Sequence, residues 1–385
     1  MNRINELIKK LCPNGVEYHE LKDNNLFKFY YGKGNKIPED IGGKYDVYGA
    51  NGVVSHINEY NCEDVSIIGH IGAVGMVNRC KGKCFVTYNG TIAEVVDKSK
   101  VDSQYLYYVL TTLNLPSFKK GSQPFLSVSD FDKIKIAVPP LEVQCEIVRI
   151  LDDFTLLSSE LSTELKAREK QYEYYRRNLL TFENDTKFIE LKDLFNTKNG
   201  YTPSKRNKEY WEDGTISWYR MEDIRENGRI LSSSIQKVNK KGIKGTLFPK
   251  NSIIISTSAT IGEHALITED FLCNQRFTCL TLKDCYKNDY DIKFLFYYCY
   301  LLSEWCLNNL NQGNFASVDM KLFNKFKFPM IELDKQKKIV NILEKLDKLC
   351  NDTSEGIPAE IEARRKQFEH YRDKLLAFKE LVNEG

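Results

Sequence analysis

A long internal repeat is the feature that most constrains how this chain of 385 residues can fold. Residues 144–151 return with five identities at 336–343, and residues 167–176 return as a close match at 363–372. A period of roughly 190 residues is far longer than the 20–50 residues of a solenoid repeat. The sequence therefore predicts a duplicated module, in which a variable domain is followed by a similar helix.

The repeat predicts four segments along the chain. They are a first variable domain over 1–140, a first spacer helix over 141–183, a second variable domain over 184–330 and a second spacer helix over 331–385. Pro139 and Pro140 stand immediately before the first helix, where proline ends an element without disturbing the helix that follows.

Both repeated helices carry apolar or aromatic residues at alternating steps of three and four. Such a heptad seam predicts that each helix packs along a partner helix, and about 40 helical residues would form a rod of about 60 Å. The predicted pairing residues are Ile147, Leu151, Phe154, Leu161, Leu165, Tyr172, Tyr175 and Leu179 in the first helix, and Ile339, Leu343, Leu346, Ile361, Phe368, Tyr371 and Leu375 in the second.

The second helix contains a four-residue insertion that the first one lacks. Because the insertion includes Gly356 and Pro358, we expect a break near 354–358 in the second rod only. Matching seams favour two rods paired as an antiparallel coiled coil with pseudo-two-fold symmetry. The alternative is that each helix packs only on its own domain.

The two variable domains read as α+β, with short strands and one helix each. Runs rich in β-branched residues predict strands at 65–69, 84–87, 252–256 and 277–282. Stretches rich in tyrosine and leucine predict helices over 103–113 and 292–308. The predicted fold is therefore α+β, with two mixed α/β domains separated by two long paired helices.

Loops at matched places in the two domains combine glycine with aromatic, amide and basic side chains. Basic residues neutralise phosphates, and amides and arginine read base edges, so these loops are candidates for DNA binding. Ordinary surface loops have the same composition, and both interpretations stay open on this evidence alone. The candidates are Tyr31, Lys33, Lys36, Lys119, Lys120, Gln123, Lys198, Tyr201, Ser204, Lys205, Arg206, Lys241, Lys244, Gln312 and Asn314.

Composition and charge limit which other classes of protein and which kinds of site the sequence can support. With 55 basic and 53 acidic residues, the net charge of +2 does not by itself indicate nucleic-acid binding. No run of 18 apolar residues and no apolar secretion segment is present, so we expect a cytoplasmic protein without a membrane span. The 11 cysteines are scattered, and Cys80 with Cys84 has no second ligand pair, so we expect no metal site.

Motifs for catalysis are also missing from the sequence. A base methyltransferase needs an Asn/Asp-Pro-Pro-aromatic motif, but the pair Pro139-Pro140 follows Val138. There is no phosphate-binding P-loop, and the five histidines are dispersed. We therefore expect that the chain is not an enzyme.

Three stretches resemble one known family. The run PPLEVQCEIVRIL at 139–151, the run RKQFEHYR at 365–372 and the opening LCPNGVEY at 11–18 are similar to the specificity subunits of type I restriction–modification systems. The resemblance extends over essentially the whole chain. The second helix also has the segment 354–358 found in many relatives, whereas the first helix lacks it.

The resemblance implies a function and partners. Each globular domain, a target-recognition domain, would read one half of a split, asymmetric site in double-stranded DNA, and the paired helices would set the spacing of the halves and dock two methyltransferase subunits. Restriction subunits could join. The chain would bind no cofactor, with S-adenosylmethionine, and ATP and Mg²⁺ for a nuclease subunit, held by the partners. A coiled-coil scaffold and a stand-alone DNA-binding regulator remain as alternatives.

Overall fold

The computed structural model describes residues 2–34, 36–118, 125–183, 185–311 and 316–381. The chain divides into two compact units, one of residues 1–163 with 360–385 and the other of residues 164–359. The unit boundaries fall inside the two repeated helices. Among the described residues, no helix is long and apolar enough to cross a membrane.

Unit 1 combines a six-stranded sheet with helices, and two further strands form a small antiparallel pair. Its helices are α1 (Asn2–Leu11), α2 (Ser103–Thr112) and the first part of α3 (Leu141–Leu179). Its strands are β1 (Tyr18–Glu20), β2 (Phe27–Tyr31), β3 (Tyr45–Gly49), β4 (Gly52–Ile57), β5 (Cys62–Gly69), β6 (Val77–Val86), β7 (Gly90–Val95) and β8 (Lys135–Ala137).

Unit 2 contains a five-stranded sheet, a three-stranded sheet and two small strand pairs. Its helices are α4 (Leu191–Leu194), α5 (Met221–Asn227), α6 (Ile292–Asn308), α7 (Met320–Phe323) and α8 (Leu333–Asn351), and α9 (Ile357–Leu376) begins in it. Its strands are β9 (Phe188–Glu190), β10 (Phe195–Asn199), β11 (Ile216–Tyr219), β12 (Ile230–Leu231), β13 (Lys237–Val238), β14 (Ser252–Ser256), β15 (His264–Ile267), β16 (Leu272–Cys273), β17 (Phe277–Leu282), β18 (Leu310–Asn311), β19 (Ser317–Val318) and β20 (Lys327–Pro329).

The main sheets of the two units share one topology. Unit 1 has the order β2-β7-β5-β6-β3-β4, and unit 2 has the order β10-β17-β14-β15-β12. In both, the first four strands pair antiparallel, and the next strand, β3 or β12, adds parallel to its neighbour. The predicted α+β class is confirmed. Strand β14 and helix α6 have the predicted bounds, since β14 is buried over its whole length and α6 is a largely apolar run that buries the stretch 294–299.

A buried glutamine joins the start of α3 to the globular part of unit 1. Gln144 is fully buried, and its Oε1 accepts a hydrogen bond of 2.8 Å from the backbone N–H of Asp102, the N-cap of α2. Its Nε2 donates to the backbone carbonyls of Lys100 at 2.8 Å and Pro139 at 2.7 Å. One side chain therefore ties together the first turn of α3, the chain before it and the cap of α2.

The same arrangement is repeated in unit 2 by Gln336, 192 residues later. Its Oε1 accepts from the backbone N–H of Asp291, the N-cap of α6, at 2.9 Å, and its Nε2 donates to the carbonyls of Asp289 and Ile331, both at 2.8 Å. The sequence repeat thus corresponds to a repeated hydrogen-bond network between each long helix and its domain.

Within unit 2, the second half of α3 runs antiparallel to α8. Burial, then Tyr300 and then Asp347 of α8 raise the pKa of Tyr172 on α3, and burial followed by Glu169 of α3 raises the pKa of Cys350 on α8. Just past the end of α3, the Lys335 Nζ lies 5.6 Å from the ring centroid of Phe182. As the residue number rises along α3, that of its neighbour on α8 therefore falls.

Within unit 1, the first half of α3 packs against the second half of α9. The rings of Phe154 and Tyr371 stack with centroids 5.4 Å apart, and Leu375 is buried in the same core as Ile147 and Leu151. The helices also pack on their own domains, since Tyr108 of α2 contacts Phe368 and α6 packs on α8. The long helices therefore pack both on a partner helix and on the globular domains.

The other predicted pairing residues differ in burial. Ile339 and Leu343 are buried in the unit 2 core with Tyr172, and three leucines, Leu165, Leu179 and Leu346, pack against it. Leu161 and Ile361 are half-buried. Tyr175 is 41% exposed and lies against Tyr174, whereas Leu180, which the seam did not include, is 1% exposed. Leu180 lies just past the end of α3, and near that end of the helix it is Tyr172 and Leu179 that contact the unit 2 core.

The interruption in the second rod lies between α8 and α9, over residues 352–356. A Cβ on Gly356 would come within 2.6 Å of the carbonyl oxygens of both Asp352 and Lys348, so only glycine fits there. Asp352 accepts hydrogen bonds from the backbone N–H groups of Ser354 and Glu355, which stabilise the turn.

Replacing either buried glutamine by alanine should destabilise the protein. Gln144→Ala and Gln336→Ala each remove three hydrogen bonds to backbone groups that are at least partly buried, and we expect each to lower the free energy of unfolding by about 1–3 kcal/mol. Chemical denaturation monitored by circular dichroism measures this. Gln367→Ala, at an exposed position on α9, is the control and should change it by less than about 0.5 kcal/mol. Equal effects at all three positions would contradict the role of the glutamines.

Candidate nucleic-acid interface

One end of the main sheet in unit 1 gathers three loops. Antiparallel pairing places Tyr31 at the end of β2 opposite Thr91 near the start of β7, which in turn lies opposite Ile68 of β5. The turn between β5 and β6 starts at the same end. The segment 125–128 joins it, since residues 71 and 125 form an antiparallel bridge.

His70 is the centre of this end of unit 1. It is only 3% exposed, and its Nδ1 lies 3.1 Å from the hydroxyl of Thr91. Its ring contacts the ring of Tyr31 at a centroid distance of 4.8 Å and that of Phe125 at 5.6 Å. Burial lowers the pKa of His70, so the imidazole is neutral at pH 7 and acts here as a packing group.

An apolar surface covers His70. Tyr31 and Ile71 are each 43% exposed and Phe125 is 39% exposed, and we call these three residues the unit 1 patch. The Tyr31 hydroxyl is held by a hydrogen bond of 3.1 Å from the backbone N–H of Val128. Lys33, whose backbone N–H donates to the carbonyl of Val86, is exposed beside the patch. The surface therefore combines ordered apolar groups with a nearby cation.

The corresponding end of the main sheet in unit 2 has the same strand pairing but carries different side chains. Asn199 pairs with Thr278 as Tyr31 pairs with Thr91, and residues 258 and 317 form the matching antiparallel bridge. The Thr278 hydroxyl donates to Asn199 Oδ1 at 3.0 Å and lies 3.1 Å from the hydroxyl of Thr257. We call Asn199, Ser258 and Ser317 the unit 2 patch.

Matched glycines allow both loops to approach the sheet. A Cβ on Gly32 would lie 2.2 Å from the carbonyl oxygen of Thr87, and one on Gly200 would lie 2.3 Å from that of Asn274. No side chain can be accommodated at such distances from backbone atoms. The glycines therefore set the course of the chain immediately after each patch.

In unit 2 the two basic stretches of the sequence come together. The backbone N–H of Lys244 donates to the hydroxyl of Tyr201 at 2.6 Å, which joins the loop after β10 to the loop at 239–244. Trp211 Nε1 donates to the carbonyl of Ser204 at 3.2 Å, and Lys241 forms an exposed ion pair of 3.2 Å with Glu209. The result is one basic surface from two distant segments.

Most of the predicted DNA-binding residues lie on these loops. Lys33, Lys36, Lys198, Ser204, Lys205, Arg206, Lys241 and Lys244 are exposed, and Tyr201 is half-buried. Whether any of them contacts DNA stays a prediction. Five further candidates lie outside the described residues: Lys119, Lys120, Gln123, Gln312 and Asn314. Within the described ranges, no group of three or more His, Cys, Asp or Glu residues could hold a metal ion.

Comparison with known proteins identifies the family. A family model described as the type I restriction modification DNA specificity domain matches residues 13–168 and, a second time, residues 183–363. The two matches together cover well over half of the chain and follow its internal repeat. The chain belongs to the family of type I restriction–modification specificity subunits.

Individual relatives agree with the family match. The specificity subunit of the Escherichia coli type I restriction enzyme EcoprrI is 53% identical over 209 residues, which span 52% of each chain. That of the E. coli enzyme EcoR124I/EcoR124II is 36% identical over 301 residues, covering 73% of this chain and 72% of the relative. A crystal structure of a type I S subunit from M. genitalium has the same fold, with a TM-score of 0.56 and 17% identity over 94% of this chain and 96% of that one.

Sequence reasoning missed the residues that line the two patches of this specificity subunit besides Tyr31. They are His70, Ile71, Phe125, Asn199, Thr257, Ser258 and Ser317. A signal was present, because His70 and Thr257 directly follow the two buried strands that the sequence predicts at 65–69 and 252–256. Side chains at the ends of matched strands in a duplicated fold are brought to matched surfaces.

Comparing alanine substitutions at Gly32 and Gly82 should show whether the close backbone approach at Gly32, rather than the loss of a glycine in general, lowers the free energy of unfolding. Gly32→Ala would force its Cβ against the Thr87 carbonyl, and we expect the free energy of unfolding to fall by about 1–3 kcal/mol. Gly82→Ala, in the same unit, meets no atom within 4 Å and should change it by less than about 0.5 kcal/mol. Thermal or chemical denaturation measures both. If the two variants were equally stable, the predicted close approach would be wrong.

Proposed function

We propose that the chain is the DNA-reading subunit of a type I restriction–modification complex, with each unit binding one half of a split target in double-stranded DNA. One observation carries the proposal: the two units present the same sheet end and the same loops, but with different exposed side chains. A shared backbone with different surface groups is what two readers of unlike half-sites require. Exposed lysines and arginine beside both surfaces provide phosphate contacts.

The long helices are proposed to set the distance between the half-sites and to dock two methyltransferase subunits. The 39 residues of α3 form one uninterrupted helix, which is about 60 Å long at 1.5 Å per residue. Rigid spacing between recognition elements fixes half-site separation in other DNA-binding proteins. Large apolar side chains remain exposed on the helices, which supports protein docking there: Leu156, Tyr174, Tyr175, Ile342 and Leu349.

In this proposal the chain contributes recognition and the partner subunits contribute chemistry. Methyl transfer from S-adenosylmethionine takes place on the methyltransferase subunits. Where restriction subunits join, ATP and Mg²⁺ act on them. The specificity subunit holds no cofactor and forms no covalent intermediate.

Footprinting with the cognate methyltransferase subunit tests the proposal. The reconstituted complex should protect two separated segments of a duplex that contains the methylated site, because two units at a set distance contact two half-sites. Protection by this chain alone at equal affinity would favour a stand-alone regulator. No protection with or without the partner would favour a scaffold.

Charge removal on the unit 2 surface should change how binding depends on salt. Lys205→Ala combined with Arg206→Ala removes two exposed cations, so the slope of log K against log salt should become shallower by up to about 2. Lys250→Ala is a matched control, because Lys250 is exposed just before β14 at the opposite end of the sheet. Titrations of a labelled target duplex at several salt concentrations give the slopes. Identical slopes for both variants would place the phosphate contacts elsewhere.

A further inference from the structure

The two units place opposite chemistry at one structurally equivalent position. The backbone N–H of Leu126 donates to the carbonyl of His70 at 3.2 Å, and that of Val318 donates to the carbonyl of Thr257 at 3.0 Å. This register aligns Ile71 with residue 258 and Phe125 with residue 317, and the strand pairing aligns Tyr31 with residue 199. The unit 1 patch is apolar, whereas every member of the unit 2 patch is polar.

We propose that this position determines base specificity in both units, which rests on the proposed function. In unit 1 the patch contacts thymine methyl groups, and in unit 2 an asparagine pairs with adenine. In both cases the occupant is the major groove of the target duplex. Thymine is the only common base that presents a methyl group there, and adenine presents an acceptor N7 beside a donor N6 amino group.

The unit 1 patch suits a methyl group rather than a hydrogen-bonding edge. Ile71 offers only aliphatic carbon, and Phe125 offers only an aromatic ring, so neither can donate to a base. The Tyr31 hydroxyl accepts a hydrogen bond from the backbone N–H of Val128, which fixes the side chain so that its ring forms part of the exposed surface. Contact of a thymine methyl with this surface removes apolar area from water on both sides, at about 0.8 kcal/mol for each buried carbon group.

The patch is rigid enough to discriminate. Its two aromatic rings rest on the buried ring of His70, which is itself held by the Thr91 hydroxyl. Exposed Lys33 and Lys36 stand at positions 33 and 36, shortly after Tyr31 in the chain, and add positive charge to the segment that follows the apolar surface. An apolar surface flanked by cations fits a DNA groove between phosphate backbones better than it fits an uncharged protein surface.

The unit 2 patch suits adenine. Asn199 is exposed, and the Thr278 hydroxyl donates to its Oδ1. That bond orients the amide so that Nδ2 can donate to adenine N7, while the second lone pair of Oδ1 accepts from the N6 amino group. The hydrogen bond between the hydroxyls of Thr278 and Thr257 in turn holds the Thr278 side chain in place. Exposed Lys198, the preceding residue on β10, adds charge at the same edge.

Base analogues test the proposal with the reconstituted complex and its mapped target. Replacing thymine by deoxyuridine removes only the methyl group, and replacing adenine by 7-deazaadenine removes only the N7 acceptor. Each replacement is made in one half-site at a time, and equilibrium affinity is measured. Deoxyuridine in one half should weaken binding about fourfold for each contacted methyl. 7-Deazaadenine in the other half should weaken it on the order of tenfold.

Variants assign each loss to its residue. Ile71→Ser and Phe125→Ser should bind thymine and deoxyuridine duplexes equally, and Asn199→Ala should bind adenine and 7-deazaadenine duplexes equally. Val96→Ser, exposed just past the far end of β7, and Asn196→Ala, exposed at the far end of β10, are matched controls that should keep the wild-type discrimination. Because all five side chains are exposed, these substitutions leave the cores intact.

Each outcome decides a separate point. A complex that binds its split target but does not distinguish either analogue, or whose half-sites contain no thymine, overturns the inference and leaves the proposed function standing. Discrimination that persists in Ile71→Ser, Phe125→Ser and Asn199→Ala also overturns it. A complex that shows no preference for a split target overturns both.

Discussion

The buried glutamine at the start of each long helix is the interaction on which the rest of this structure depends. Gln144 and Gln336 are fully buried, each forms hydrogen bonds with three backbone groups that are mostly partly buried, and each joins three separate segments of its unit. A buried amide is sensitive to displacement because its bonds are lost within fractions of an ångström. Each helix is therefore held in one orientation on its domain, which a rigid spacer needs.

The two reading surfaces show how duplication can keep a framework while changing its surface. Strand order, glycine positions and the bonds at residues 70 and 257 are shared between the units. The exposed side chains at those same positions differ in chemistry, with aromatic and aliphatic groups in unit 1 and amide and hydroxyl groups in unit 2. Because these groups project from the ends of strands, they can be exchanged at little cost to the core.

The helices and several strands could be predicted from sequence because each depends on local periodicity. Strand β14 and helix α6 were predicted with their observed bounds. Tyr175 was predicted from the heptad alone and is 41% exposed, whereas its neighbours in the seam, Tyr172 and Leu179, contact the unit 2 core. The patches were missed because His70, Phe125 and Tyr31 lie far apart in sequence and are joined only by strand register. Likewise, Tyr201 and Lys244 meet only through the fold.

We propose that two units of one chain read two different halves of one DNA site. Methylation mapping in cells that express the chain with its methyltransferase partner tests it most directly, by comparing the wild-type chain with Asn199→Ala. We expect a motif of two defined segments separated by unspecified bases, and relaxed sequence preference in only one segment for the variant. A continuous motif, or relaxation in both segments, would contradict it.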